Sequence, residues 1–85
     1  MIISKKEQLL FTLKEINKYI KKPLDIKAHQ ATLSTLKESD LTDNYINRFF
    51  DELPLTKKDY ADLDKLYQEH KHRLPLFRAS YNRRK

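Results

Sequence analysis

Apolar residues recur at helical spacing in the N-terminal part of the chain. One face of a predicted helix consists of Leu9, Leu13, Ile16 and Ile20. Ser4 and Glu7 have the spacing of a capping box, which predicts that this helix begins near Ser4. Pro23 is expected to end or kink the helix, because proline interrupts the hydrogen-bond ladder of a helix interior.

Two shorter apolar stripes follow in the middle of the chain. The first consists of Ile26, His29, Leu33 and Leu36, and the second consists of Ile46, Phe49, Phe50 and Leu53. Asp25 is a suitable N-cap for the first of these helices, and Asp40 or Thr42 is a suitable N-cap for the second. Because Pro54 lies just beyond the second stripe, that helix is expected to end before it.

The best-marked helix follows Leu55. Thr56 is the expected N-cap, and Asp59 stands three residues later, as in a capping box. Leu55 is placed to pack on Tyr60 as a hydrophobic staple. The apolar face continues through Leu63, Leu66, Tyr67 and His70. Since proline is tolerated at a first helical position, Pro75 allows a short fifth helix after it.

These elements predict an all-α protein, a compact antiparallel bundle of about four helices with a basic C-terminal segment. A chain of 85 residues has the size of one domain. We expect residues 1–74 to form the helical bundle domain and residues 75–85 to form the basic C-terminal segment, either docked or flexible. Ten apolar residues are expected to be mostly buried: Leu13, Ile16, Ile20, Leu33, Leu36, Ile46, Phe49, Leu53, Leu63 and Leu66.

Charge is distributed unevenly along the chain. The formal net charge is +6. Residues 1–70 contain twelve basic and twelve acidic residues, whereas residues 71–85 contain six basic residues and no acidic one. The whole basic excess therefore lies in the last fifteen residues. A segment of this kind predicts a contact with an anionic partner.

Basic and aromatic residues alternate in residues 71–85. We expect this stretch to bind nucleic acid through Lys71, Arg73, Phe77, Arg78, Tyr81, Arg83, Arg84 and Lys85. Its cations would neutralise phosphates and release counterions, and Phe77 and Tyr81 would stack on bases. Lys14 and Lys18 lie opposite the apolar stripe of the first helix and are expected to contribute. Phe11 shares their sector, where it either contacts a base or is covered by the tail or the second helix.

The composition disfavours several other classes of function. The chain has no cysteine, which excludes disulfides and thiolate metal sites, and no glycine, which disfavours phosphate-binding loops. The spacing of His29, His70 and His72 is not that of a zinc site, and the acidic residues do not form a calcium loop. We therefore expect no enzyme, no cofactor and no metal. With neither a signal peptide nor an apolar span of about 20 residues, a cytoplasmic location is expected.

Other binding partners remain open from the sequence. In size and layout the chain is similar to small helical immunity, inhibitor and accessory proteins of bacteria, plasmids and phages. That similarity implies a protein-interaction module, an inhibitor, adaptor or immunity-type protein. Its partner would contact the acidic middle of the chain or the aromatic cluster of Tyr45, Phe49 and Phe50. The charge asymmetry would also allow head-to-tail self-association as a homo-oligomer. An anionic membrane surface fits the basic amphipathic first helix and fits the mixed, neutral body of the chain less well.

Overall fold

The computed structural model describes residues 4–78, which consist of helices and the turns between them. Four α-helices are present in this range: α1 is Lys5–Ile16, α2 is Ile26–Ser34, α3 is Asp43–Asp51 and α4 is Lys57–Glu69. A 3₁₀ turn at Glu38–Asp40 lies between α2 and α3, and another at Lys71–Arg73 follows α4. No strand occurs in these residues, so the predicted all-α fold is confirmed.

Each of these α-helices begins at a residue whose side chain caps it. The side-chain oxygens of Ser4, Asp25, Thr42 and Thr56 accept hydrogen bonds of 3.0 to 3.2 Å from the backbone N–H groups three residues later. Asp59 in turn accepts a 3.1 Å hydrogen bond from the Thr56 N–H, which completes the predicted capping box. Of the two caps considered for α3, Thr42 is the one used. Each cap stabilises its helix by roughly 1 kcal/mol.

The start of α1 is also held by a residue distant in sequence. The carboxylate of Glu38, in the first 3₁₀ turn, accepts hydrogen bonds from the N–H groups of Lys5 at 2.7 Å and Lys6 at 3.4 Å. The Lys5 ammonium donates to the Leu41 carbonyl at 3.1 Å. A carboxylate at a helix N-terminus is favourable because it complements the helix dipole. These contacts fix α1 against the connection between α2 and α3.

The core contains residues from every helix and from the C-terminal segment. Thirteen apolar or aromatic residues are buried: Leu9, Leu13, Ile16, Leu24, Leu33, Leu41, Ile46, Phe50, Leu53, Tyr60, Leu63, Leu74 and Phe77. Four residues that the sequence placed in the core are only partly buried: Ile20, Leu36, Phe49 and Leu66. On α3 the fully buried ring is Phe50, whereas Phe49 packs at the edge of the core. The Tyr60 hydroxyl donates to the Phe50 carbonyl, which links α4 to α3.

Helix α1 ends at Ile16, earlier than the proline that was expected to terminate it. The Asn17 side chain makes two hydrogen bonds with Leu24, accepting from its N–H at 2.7 Å and donating to its carbonyl at 3.3 Å. An asparagine side chain that pairs with the backbone in this way competes with the helix. Residues 17–24 therefore form a closed connection, and Lys18 and Tyr19 lie in its first turn.

Residues 74–78, which include the start of the C-terminal segment, pack against the helices. Leu74 is completely buried and Phe77 is 3% exposed, with its ring edge-on to Phe50 at 5.4 Å between centroids. The short fifth helix allowed by Pro75 does not begin there, because Leu76 has a φ of 67°, in the left-handed region. The Phe77 N–H bonds to the Leu74 carbonyl at 3.0 Å across this turn, and both of these side chains are buried. The rest of the segment lies outside the described residues.

Candidate nucleic-acid interface

Residues 73–75 contact α1 and the turn that follows it. The buried Thr12 hydroxyl on α1 donates a hydrogen bond to the Pro75 carbonyl, and the Arg73 guanidinium donates to the Tyr19 hydroxyl at 3.3 Å. Residues 73–75 therefore lie alongside α1 and the turn that follows it. We use the name α1 basic face for a set of exposed basic and aromatic residues of α1, of the turn after it and of the 3₁₀ turn at Lys71–Arg73. They are Phe11, Lys14, Lys18, Tyr19, Lys71 and Arg73.

The lysines of this face are accessible to solvent. Lys14, Lys71 and Arg73 are exposed. Lys18 has a side chain that is 65% exposed, and its ammonium lies 2.6 Å from the carboxylate of Glu15, which is mostly covered. An ion pair in this setting is worth at most about 1 kcal/mol, because water screens the exposed partner. Lys18 can therefore exchange its partner for an anion at little cost.

Two aromatic rings stand out on the α1 basic face. Phe11 is 48% exposed and Tyr19 is 46% exposed, and among the described residues these are the large hydrophobic side chains left in solvent. Phe11 borders a cavity of about 300 Å³ together with Glu7, Gln8, His72 and Pro75. Residues 72–75 thus lie beside Phe11 without covering it, and α2 leaves it exposed. Exposed rings among cations are suited to stacking on planar groups.

Two of the predicted binding residues have structural roles instead. Phe77 was expected to stack on a base, but its ring is buried against Phe50 and Tyr67 and offers no free face. Arg78 has a side chain that is only 30% exposed, and its guanidinium contacts the Asp43 carboxylate at 3.3 Å and the Leu76 carbonyl at 3.1 Å. Arg78 therefore ties the C-terminal segment to the start of α3, and neither residue belongs to the α1 basic face.

The remaining predicted binding residues fall outside residues 4–78. They are Tyr81, Arg83, Arg84 and Lys85. Tyr19, by contrast, was not among the predicted residues. The apolar stripe of the first helix extends to Ile20 in the sequence, so it predicts that Tyr19 lies within the helix. It therefore does not reveal that Tyr19 lies in a turn with its ring exposed. The signal that would have found it is Asn17, a residue that favours helix ends over helix interiors.

A second surface lies where α2 meets α3. Phe49 stacks edge-on to His29 at 5.4 Å between centroids and lies near Tyr45 at 6.4 Å. These residues line a cavity of about 230 Å³ together with charged groups from Arg48 and Glu52. Phe50, the third member of the aromatic cluster predicted from the sequence, is buried and takes no part in this surface.

The described part of the chain contains neither a cluster of metal ligands nor a membrane-spanning helix. No group of three or more histidine or acidic residues in residues 4–78 could hold a metal ion. The rings of His70 and His72 lie 6.1 Å apart with no third candidate ligand grouped beside them. No helix in these residues is both long and apolar enough to cross a bilayer.

Comparisons with known proteins give no further guide to function. Searches against protein-family models, curated proteins and solved structures found no match to this chain. Any assignment must therefore rest on the chemistry of its own surfaces. Of these, the α1 basic face combines exposed cations with the exposed rings of Phe11 and Tyr19.

Proposed function

We propose that this chain is a small non-enzymatic protein that binds nucleic acid through the α1 basic face and the basic residues at its C-terminus. The observation that carries the proposal is the pair of contacts between Thr12 and Pro75 and between Tyr19 and Arg73. The first contact holds residue 75 on the buried side of α1, and the second places Arg73 beside Tyr19 in the turn that also carries Lys18. Cations that are distant in sequence then act on the same stretch of phosphates.

The binding mechanism is mainly electrostatic. Lys14, Lys18, Lys71 and Arg73 neutralise phosphates, and the release of condensed counterions supplies the free energy. The arginine can also donate two parallel hydrogen bonds to one phosphate, which a lysine cannot. Such contacts fix the position of a strand but do not read its sequence. Binding is therefore expected to be tolerant of sequence and strongly dependent on salt.

A fluorescence anisotropy titration tests this proposal. The probes are a labelled oligothymidylate of about 16 nucleotides, within the range bound by single-strand modules, and the duplex it forms with its complement. Binding at low salt should weaken steeply as salt is added, with a linear dependence of log K on log salt concentration. Absence of binding to both probes at low salt would refute the proposal.

A protein partner is the second candidate, and the surface between α2 and α3 favours it. Half-buried aromatics beside a shallow cavity with one cation and one anion at its edge resemble the core and rim of a protein interface. Substituting Tyr45 with serine would then reduce capture of a partner from a lysate, while Lys27→Gln on the exposed side of α2 would not. Equal capture by both variants would argue against this surface.

A further inference from the structure

A groove lies between the α1–α2 connection and the start of α4. Its volume is about 340 Å³. Its lysines come from both walls, with Lys21 and Lys22 on the α1–α2 connection and Lys58 on α4. Tyr19 also lines it and leads from the groove to the α1 basic face. We call this feature the Tyr19 groove.

The position of Tyr19 follows from the early end of α1. Because Asn17 pairs with Leu24, the chain leaves the helix before Tyr19, and the Tyr19 N–H bonds to the Ile16 carbonyl at 2.9 Å in a tight turn. The Tyr19 hydroxyl accepts from Arg73, which holds the ring by its edge. A ring anchored at its hydroxyl and 46% exposed keeps area available for stacking at the groove.

The size and chemistry of the groove select its occupant. Ligand sites typically measure about 300–1,000 Å³, so this groove is at the small end and has room for one planar group but not for a duplex. A tyrosine ring stacks on a base only where the base is unpaired, since paired bases have their faces covered. The three lysines around the ring provide the countercharge for the phosphate of the same nucleotide.

Two acidic residues also line the groove, and they differ in what they do. Asp59 accepts the Thr56 N–H and is thereby committed to capping α4. Asp62, on the next turn of the helix, is exposed. Its carboxylate is expected to repel a phosphate, which places the phosphate toward Lys21 and Lys22.

We infer that the Tyr19 groove holds an unpaired nucleotide of a single-stranded nucleic acid, with its base stacked on Tyr19. This inference rests on the proposed function and makes it more specific. It assigns a role to Tyr19, Lys21, Lys22 and Lys58, and it predicts a preference for single strands over duplex.

The test uses the full chain and the two probes named above, with three variants at Tyr19 and Tyr45. Tyr19→Leu removes the aromatic ring, Tyr19→Phe keeps the ring and removes the contact with Arg73, and Tyr45→Leu is a matched control at a tyrosine of α3 that does not line the groove. Loss of one stacked base should weaken oligothymidylate binding by roughly 5- to 100-fold in Tyr19→Leu. Duplex binding should change less than about twofold, Tyr19→Phe should lose clearly less oligothymidylate binding than Tyr19→Leu, and Tyr45→Leu should stay close to wild type.

An acidic variant provides a change in the opposite direction. Asp62→Asn removes one of the two negative charges that oppose phosphate in the groove, so oligothymidylate binding should become up to about fivefold tighter. Circular dichroism of each variant confirms that the helices are retained. The stacking inference is wrong if wild type binds both probes but Tyr19→Leu binds oligothymidylate as tightly as wild type, or if Tyr19→Phe loses as much as Tyr19→Leu. If wild type binds neither probe, the proposed function itself fails, which is a different and separately recognisable outcome.

Discussion

Replacing Phe77 with alanine tests whether the C-terminal segment is part of the folded core. Phe77 is 3% exposed and its ring contacts those of Phe50 and Tyr67 at 5.4 and 5.9 Å between centroids. Truncating a buried phenylalanine typically costs about 3–5 kcal/mol in the free energy of unfolding. A small domain has about 5–15 kcal/mol in total, so the loss should be a large fraction of its stability.

Phe11 offers the matched comparison, because it is the same residue type at 48% exposure. Phe11→Ala should change the free energy of unfolding by no more than about 0.5 kcal/mol, since exposed substitutions are close to neutral. Both variants are compared with wild type by urea denaturation followed by circular dichroism. If Phe77→Ala is too unfolded to show a transition, Phe77→Leu takes its place. Its free energy of unfolding should be lower than that of wild type by roughly 1 kcal/mol, so its urea midpoint should also be lower.

The pair of results decides where Phe77 belongs. Equal stability of the Phe77→Ala and Phe11→Ala variants would mean that the C-terminal segment does not pack on the bundle. Arg73 would then no longer be held beside Tyr19, and the α1 basic face would lose its structural basis. Phe77 would then be free to stack on a base, as the sequence predicts.

Other predictions concern the helices and the far end of the chain. Phe50→Ala should destabilise the protein more than Phe49→Ala in the same urea assay, because Phe50 is fully buried and Phe49 is not. Equal losses in the free energy of unfolding would contradict the deeper burial of Phe50. Thr56→Ala should cost about 1 kcal/mol by removing the cap of α4, and an unchanged unfolding midpoint would show that the cap does not matter. A chain ending at Asn82 lacks three cations, so its duplex binding should have a salt slope lower by up to about 3, whereas an unchanged slope would place those cations outside the interface.

Local signals in the sequence predicted the helices well. Serine, threonine and aspartate at the expected caps bond to backbone groups only three residues away, so nothing distant is needed to form them. The apolar stripes likewise indicated which side of each helix faces the core. They could not show whether Phe49 or Phe50 is more deeply buried. Both residues lie on the same apolar stripe, and their burial depends on which other side chains pack over them.

The features that create the candidate interface depend on contacts between distant residues. Periodicity does not reveal that Thr12 bonds to the Pro75 carbonyl or that Phe77 packs on Phe50, since these pairs are joined only by the fold. The sequence therefore located the basic residues but not the surface they share. It also assigned Arg78 to binding, whereas that side chain is largely covered and contacts Asp43 at the start of α3.

The most direct test of the α1 basic face compares two double variants with the same change in net charge. Lys14→Gln/Lys18→Gln removes two cations from the face, and Lys27→Gln/Lys37→Gln removes two exposed cations from elsewhere. If the face binds phosphate, the first variant should lower the salt slope for oligothymidylate by about 1.4 while the second leaves it near the wild-type value. Equal slopes for the two variants would show that only overall charge matters, and would contradict a defined interface on α1.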